Sequence, residues 1–395
     1  MTSELSGSDL SLATRLRAEV EALNQDAETN CRANADAIKL LSESGLFAMT
    51  IPAAYGGSQL APLDCLKIIE TLSYADSAIG WSAMIYSKTA HLGAALSAPW
   101  GKEIYRVERF EDRVACPITA GAAAPTGKAQ IVDGGIVVSG RWAWGSGTHH
   151  ADWIAGGTLV HNAEGSVVTN SHGQPAVHLV FFEKKEVTLL NNWNPSGLRG
   201  TGSGDFEVDE VFVPEGRWTI LGEPVAEVSG SLYEFPALSY FAAAVAAVPL
   251  GIATRAIDDF VAISREKIPY GKSSKASTSA ITQLQFGQAE ALVAASRQYL
   301  WAAVSDVWSK VESGDSVEPD DRRSVRLAAC QATAMCSQAV DILYNAGGGT
   351  SLQANCSLQK HFRDIHAATQ HRQVSPEFLR MSGAVRLDGE ATVQL

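Results

Sequence analysis

Apolar residues recur at helical spacing through the first hundred positions. Leu12, Leu16, Val20 and Leu23 stand three and four apart, and Ala37, Leu40, Leu41 and Leu46 continue the stripe, with Gly45 as a natural stop. Ile51-Pro-Ala-Ala-Tyr-Gly-Gly57 reads as a turn, since proline and paired glycines punctuate strongly. Residues 63–74 and 77–97 then read as helices, the second with Ile79, Met84, Ala90 and Leu92 as core candidates around Trp81 and His91. From residue 116 to about 224 the pattern shortens to apolar runs between glycine and asparagine turns. Residues 151–160, 176–182, 187–190 and 206–213 predict strands, and strands so spaced suggest a compact antiparallel barrel or sandwich. Beyond 225 the helical period returns over residues 240–267, 282–312, 320–345 and 352–371, which implies a four-helix antiparallel bundle. The expected architecture is α+β: an N-terminal helical domain (1–115), a central antiparallel β-barrel (116–225) and a C-terminal four-helix bundle (226–395).

Composition narrows the function classes. A length of 395 residues allows two or three domains, and a net charge of -12 argues against a nucleic-acid partner. The six cysteines are scattered without zinc-like spacing, so no metal is expected and the thiols suit a reducing, cytoplasmic setting. The first twenty residues have acids early and no apolar core, unlike a signal peptide. The apolar run 240–253 is interrupted by Pro249 and too short to span a bilayer, so no membrane role is expected.

Candidate chemistry concentrates in residues 118–153. Small residues and Pro125-Thr126-Gly127 let backbone amides approach a ligand, and Ile136-Val137-Val138 reads as a strand. Trp142, Trp144, Gly145, Ser146 and Gly147 then place two indoles and a hydroxyl among glycines. On chemistry alone this is either a Trp-rich hairpin closing a sheet or one wall of a site for a flat, polar-edged cofactor such as a flavin. The loop Gly197-Leu-Arg-Gly-Thr-Gly-Ser-Gly204 lacks the lysine and strand–helix context of a P-loop. His149 and His150, being adjacent, would point to opposite faces of an extended chain, which disfavours a shared metal.

Taken together, Ile51 to Gly57, Gly140 to Gly147, and Gly197 to Ser203 followed by Asp209-Glu-Val-Phe-Val-Pro214 resemble the acyl-CoA dehydrogenase fold over essentially the whole chain. The departures matter. The large subgroup with a carboxylate soon after an Arg-Asp pair is not matched, because Arg363-Asp364 is followed by no acid before Glu377, and Gln285-Phe286-Gly287 does not preserve the family's flavin-holding element. Ala124 to Ala129, Gly140 to Gly147, His150 to Trp153 and Phe362-Arg-Asp-Ile-His366 with His371 are instead similar to the two-component flavin-dependent monooxygenases of this superfamily.

That resemblance implies reduced flavin, FMN or FAD, delivered by a separate NAD(P)H-dependent reductase, with dioxygen as co-substrate and a flavin hydroperoxide as oxidant. It implies a homotetramer acting on a planar phenol- or indole-like compound, with oxygenation at nitrogen or sulfur, or an acyl-CoA dehydrogenase, as alternatives. It assigns flavin contacts to Thr119, Pro125, Thr126, Trp142, Trp144, Gly145 and Ser146, a substrate pocket to Trp81, His91 and His371, and catalysis to His371, His91 and Ser146. Imidazole, with a pKa near ~6.5, is suited to draw off a phenol or indole proton, and His371 is the expected base. On a regular helix Asp364 and His371 would share a face two turns apart, too far for a hydrogen bond. Arg363 and Asp364 read as structural ion partners, and His366 as pairing locally near Gln370.

Overall fold

A computed structural model describes residues 2–171, 173–222 and 227–388. The N-terminal region is helical: α1 (Thr2–Leu23), α2 (Ala27–Asn30), α3 (Ala35–Glu43), α4 (Pro62–Ala75), α5 (Ser77–Leu92) and α6 (Ala98–Tyr105). Local chemistry starts these helices. The Asn34 side chain accepts the Asp36 N–H at 2.7 Å, Pro62 opens α4, and Asp76 accepts the amides of Ala78 and Ile79 at 2.9 and 3.1 Å. Every residue of α5 from Ser77 to His91 is buried, so this helix is the spine of the site rather than a surface element.

A two-stranded ribbon, β1 (Glu108–Arg109) with β2 (Val114–Ala115), leads into the main sheet. That sheet contains β3 (Thr119–Val132), β4 (Gly135–Trp142), β5 (Trp153–His161), β6 (Val177–Glu183), β7 (Thr188–Leu189), β8 (Phe206–Pro214) and β9 (Trp218–Ile220). The order is β7-β8-β4-β3-β5-β6-β9. Two expectations are corrected here. The edge strands β7 and β9 do not pair among the described residues, so the sheet is open rather than a barrel. It is also mixed, because β3 runs parallel to β5 while the other pairs are antiparallel.

The C-terminal region holds α7 (Ser231–Glu234), α8 (Ala237–Glu266), α9 (Ala280–Ser313), α10 (Pro319–Gly347), α11 (Ser357–Ala368) and α12 (Glu377–Asp388). Helix α10 packs on α8, α9 and α11, and α8 also packs on α4 and α5, which joins the two helical regions behind the sheet. Pro249 lies inside α8 instead of interrupting it. The missing N–H costs one helical bond, but α8 is buried along most of its length and packing sustains it. That burial, 78% over its most apolar window, makes this long apolar helix a core element. The expected boundary at residues 225 and 226 lies outside the described residues.

Helix α11 ends at Ala368, with Thr369 as its C-cap. His371 is therefore off the helix and begins a short 3₁₀ turn over Arg372–Val374. The seven-residue helical relation between Asp364 and His371 does not hold, since the chain turns before reaching it.

Candidate active site

The turn after β4 is fixed by the glycine-rich loop that leads into the neighbouring strand β8. Gly145 N–H donates to Gly204 O at 2.9 Å and Gly147 N–H to Thr201 O at 3.1 Å. Gly147 has φ +74°, and a Cβ there would lie 2.4 Å from the Tyr86 ring, so only glycine fits. The loop is held in turn by Asp364, which is buried on α11 and accepts the Leu198 N–H at 2.7 Å, the Ser77 hydroxyl and the Lys360 ammonium at 2.9 Å. Arg363 donates to Ser196 O at 2.6 Å and pairs with Glu28. The Arg-Asp pair thus anchors the loop. His366 pairs with Asp341 at 2.9 Å rather than near Gln370.

Ser146 sits in a directional chain of hydroxyls. Thr201 donates to Leu198 O at 2.8 Å, which commits its hydrogen. The 2.6 Å contact between Ser203 and Thr201 must then have Ser203 as donor, and the 2.6 Å contact between Ser146 and Ser203 must have Ser146 as donor. Trp81 N–H donates to Ser146 Oγ at 3.1 Å. One lone pair of Ser146 is left. The hydroxyl can accept a further hydrogen bond and cannot give one.

Around it the surface suits a flat ring. Trp144 adopts φ +61°, rare for an aromatic residue, and leaves its indole 72% exposed. The β3–β5 pairing breaks between Ala122 and Gly127, and residues 123–126, including Pro125 and Thr126, are exposed. The Thr126 hydroxyl donates to Arg141 O at 2.8 Å. An open indole, exposed backbone and a hydroxyl with a spare lone pair fit a flavin, and Trp144, Ser146 and residues 123–126 are those that would hold it. Two expected contacts lie elsewhere. Trp142 is fully buried, stacks on Phe206 at 5.0 Å and donates to Gly157 O at 2.7 Å, so its indole is sheet core and not an exposed wall. Thr119 is buried, and its hydroxyl donates to Tyr105 Oη at 3.2 Å, the phenol hydrogen being given to Thr89 O.

The facing wall is helical. Trp81 on α5 meets His371 edge-on, with ring centroids 5.5 Å apart, and Phe241 on α8 meets the other side of His371 at 5.3 Å. The structure therefore brings Trp81, Ser146 and His371 together. His371 Nδ1 accepts the Gln373 N–H at 3.2 Å, which places the ring proton of the neutral form on Nε2. Burial, with the Arg326 guanidinium adding to it, lowers His371 to about 4, so it is neutral at pH 7.

His91 carries its proton on the same nitrogen but has that donor engaged and its acceptor free. Its Nε2 lies 3.2 Å from Leu232 O, which can only accept, so the proton is on Nε2 and Nδ1 is a bare lone pair. Nδ1 is buried with no hydrogen-bond partner among the described residues. Burial first, then the neighbouring Lys88, holds His91 well below the usual histidine value. Thr201 and Ser203 were legible only as part of a glycine loop, and Lys88 and Phe241 carried no sequence signal. A cleft of about 790 Å³ between α3, α6 and β2 includes none of these residues apart from Ile118 and His150 at its edge.

Known proteins match this chain in sequence and fold. The family descriptions "Acyl-CoA dehydrogenase, N-terminal domain" and "Acyl-CoA dehydrogenase, C-terminal domain" match residues 11–103 and 243–376. The chain is 30% identical to a pigment production hydroxylase of Rhodococcus sp. across 94% of its own length and 92% of the relative's. It is 28% identical to indole-3-acetate monooxygenase of Acinetobacter baumannii, covering 89% and 86%. The HsaA monooxygenase structure from M. tuberculosis superposes with a TM-score of 0.88 at 24% identity, covering 98% and 99%. The chain belongs to the acyl-CoA dehydrogenase family, and within it to the oxygenase components of flavin-dependent monooxygenases.

Proposed function

We propose that this protein uses reduced flavin and dioxygen to hydroxylate a planar phenol- or indole-like compound, with a separate reductase supplying the flavin. When bound, the reduced flavin would supply the two electrons that activate dioxygen, one atom of which goes to the substrate and the other to water. The observation that carries the reading is the meeting of Ser146, Trp81 and His371 beside the open Trp144 ring. Ser146 Oγ, its own proton committed to Ser203, offers a lone pair to a ring N–H, and reduced flavin carries such a group. The buried Trp81 indole and Phe241 keep water from this point. His371 Nε2–H is a donor for oxygen. His91 stands ten residues along α5 from Trp81, about 15 Å of helix, so His371 is the imidazole that serves the reacting atoms.

Residues 1–115, 116–225 and 226–395 are read as three domains, the main sheet falling within the second. A homotetramer is supported by exposed apolar side chains at Ile268, Tyr270, Ile281, Leu284 and Leu352, around the start of α9. Leu284→Glu is expected to dissociate it, measured by light scattering; an unchanged mass would place the interface elsewhere.

The function is tested by mixing protein loaded with chemically reduced flavin with dioxygen and following absorbance by stopped flow. A persistent spectrum distinct from reduced and oxidised flavin is expected, and direct return to oxidised flavin would overturn the reading.

A further inference from the structure

Lys88 is 4% exposed, on the buried helix α5. Its Nζ makes one long hydrogen bond, 3.4 Å to Ala237 O, and lies over the Tyr240 ring at 4.1 Å and 5.8 Å from the centre of the Phe241 ring. No carboxylate pairs with it among the described residues. Its amine is held well below the usual lysine value, by burial. An interior cation without an acid is costly, and a fold that places lysine there gains by meeting an anion.

The position gives a length. Lys88 follows Trp81 by seven residues, two turns of α5, so the two share a face and stand about 10 Å apart along the axis. Trp81 marks the reacting end, through Ser146 and His371. Phe241 touches His371 on one side and approaches Lys88 on the other, so one apolar side chain spans the two.

We propose that Lys88 is a specificity-determining residue that binds the carboxylate of a substrate whose aromatic ring lies at Trp81 and His371 and whose acidic arm reaches along α5. The inference rests on the aromatic oxygenase reading and narrows it to aryl alkanoic acids. The occupant is an acid because a neutral arm would leave the lysine uncompensated.

The test compares 3-(4-hydroxyphenyl)propanoate with the matching propanamide, two ligands of one shape, binding anaerobically to protein loaded with reduced flavin. The acid should bind at least about tenfold tighter than the amide, as expected for a desolvated charge pair. Lys88→Met should remove that preference by weakening the acid and leaving the amide unaffected; if it does not fold, Lys88→Gln carries the same comparison. Equal binding of the two by the wild type, or an acid preference retained without the lysine, would overturn the proposal. The oxygen reaction is recorded on the same wild-type sample. Direct return to oxidised flavin there sinks the oxygenase reading, whereas a persistent spectrum without acid preference sinks only the role of Lys88.

Discussion

The two walls of the site are built on different principles. The β wall, the turn after β4 with the 197–204 loop, is held by main-chain bonds, hydroxyls and one buried carboxylate, and it leaves an indole open. The helical wall, α5 against α8, is held by apolar packing and keeps its polar groups few, buried and incompletely paired. A wall of hydrogen bonds fixes geometry, because each bond has one direction. A wall of packed helices fixes environment instead, setting which nitrogen is bare and which amine lacks a counter-ion.

The largest break in this contrast is expected at Asp364. Asp364→Ala removes the acceptor for Leu198, Ser77 and Lys360 and leaves the lysine without its buried partner, which should cost about 3–5 kcal/mol in urea unfolding. A loss under 1 kcal/mol would mean the loop is held by other contacts.

Next come the two histidines, which stand at different ends of α5. His371→Ala removes the imidazole beside Trp81, so turnover should fall about 100-fold or more. His91→Asn, about 15 Å along the helix from Trp81, should lose much less. The reverse order in single-turnover rates would give the base to His91.

A smaller effect is expected from pH. His91, His149, His150, His178 and His371 all lie below the ordinary histidine value, chiefly through burial. The unfolded chain therefore binds more protons than the folded one below about pH 6.5. Stability should be full above that pH and fall as pH drops from 6.5 towards 4, with Glu70, raised by burial, opposing weakly. A melting temperature unchanged between pH 7 and 5 would contradict the burial of these rings.

The smallest change sharpens the β wall. Trp144→Gly should relieve the positive φ and raise stability of the flavin-free protein by about 1 kcal/mol, while weakening flavin binding in a fluorescence titration. Unchanged flavin affinity would remove Trp144 from the site.

Much of the frame was legible in the chain. Helices such as α4 and α9 announce themselves by period, and β8 by its β-branched run, because those signals are local. Strand β3 did not, since Thr119 to Gly127 is mostly alanine and glycine, residues depleted in strands; its pairing with β4 and β5 forms it. Trp142 and Trp144 show the limit at the site itself. Two residues apart in a strand and turn, they look alike in sequence, yet one is sheet core and the other lies open.

By itself the sequence determined the order of helical and β regions, the hydroxyl and indoles of the 142–147 turn, and the family to which they belong. These follow from residue type and spacing, which need no knowledge of distant partners. Tertiary structure alone decided the open mixed sheet, the end of α11 before His371, the hydroxyl chain behind Ser146 and the isolation of Lys88. Each depends on residues far apart in the chain meeting in space. Which nitrogen of His91 or His371 is bare is set by a carbonyl or an amide whose place only the fold supplies.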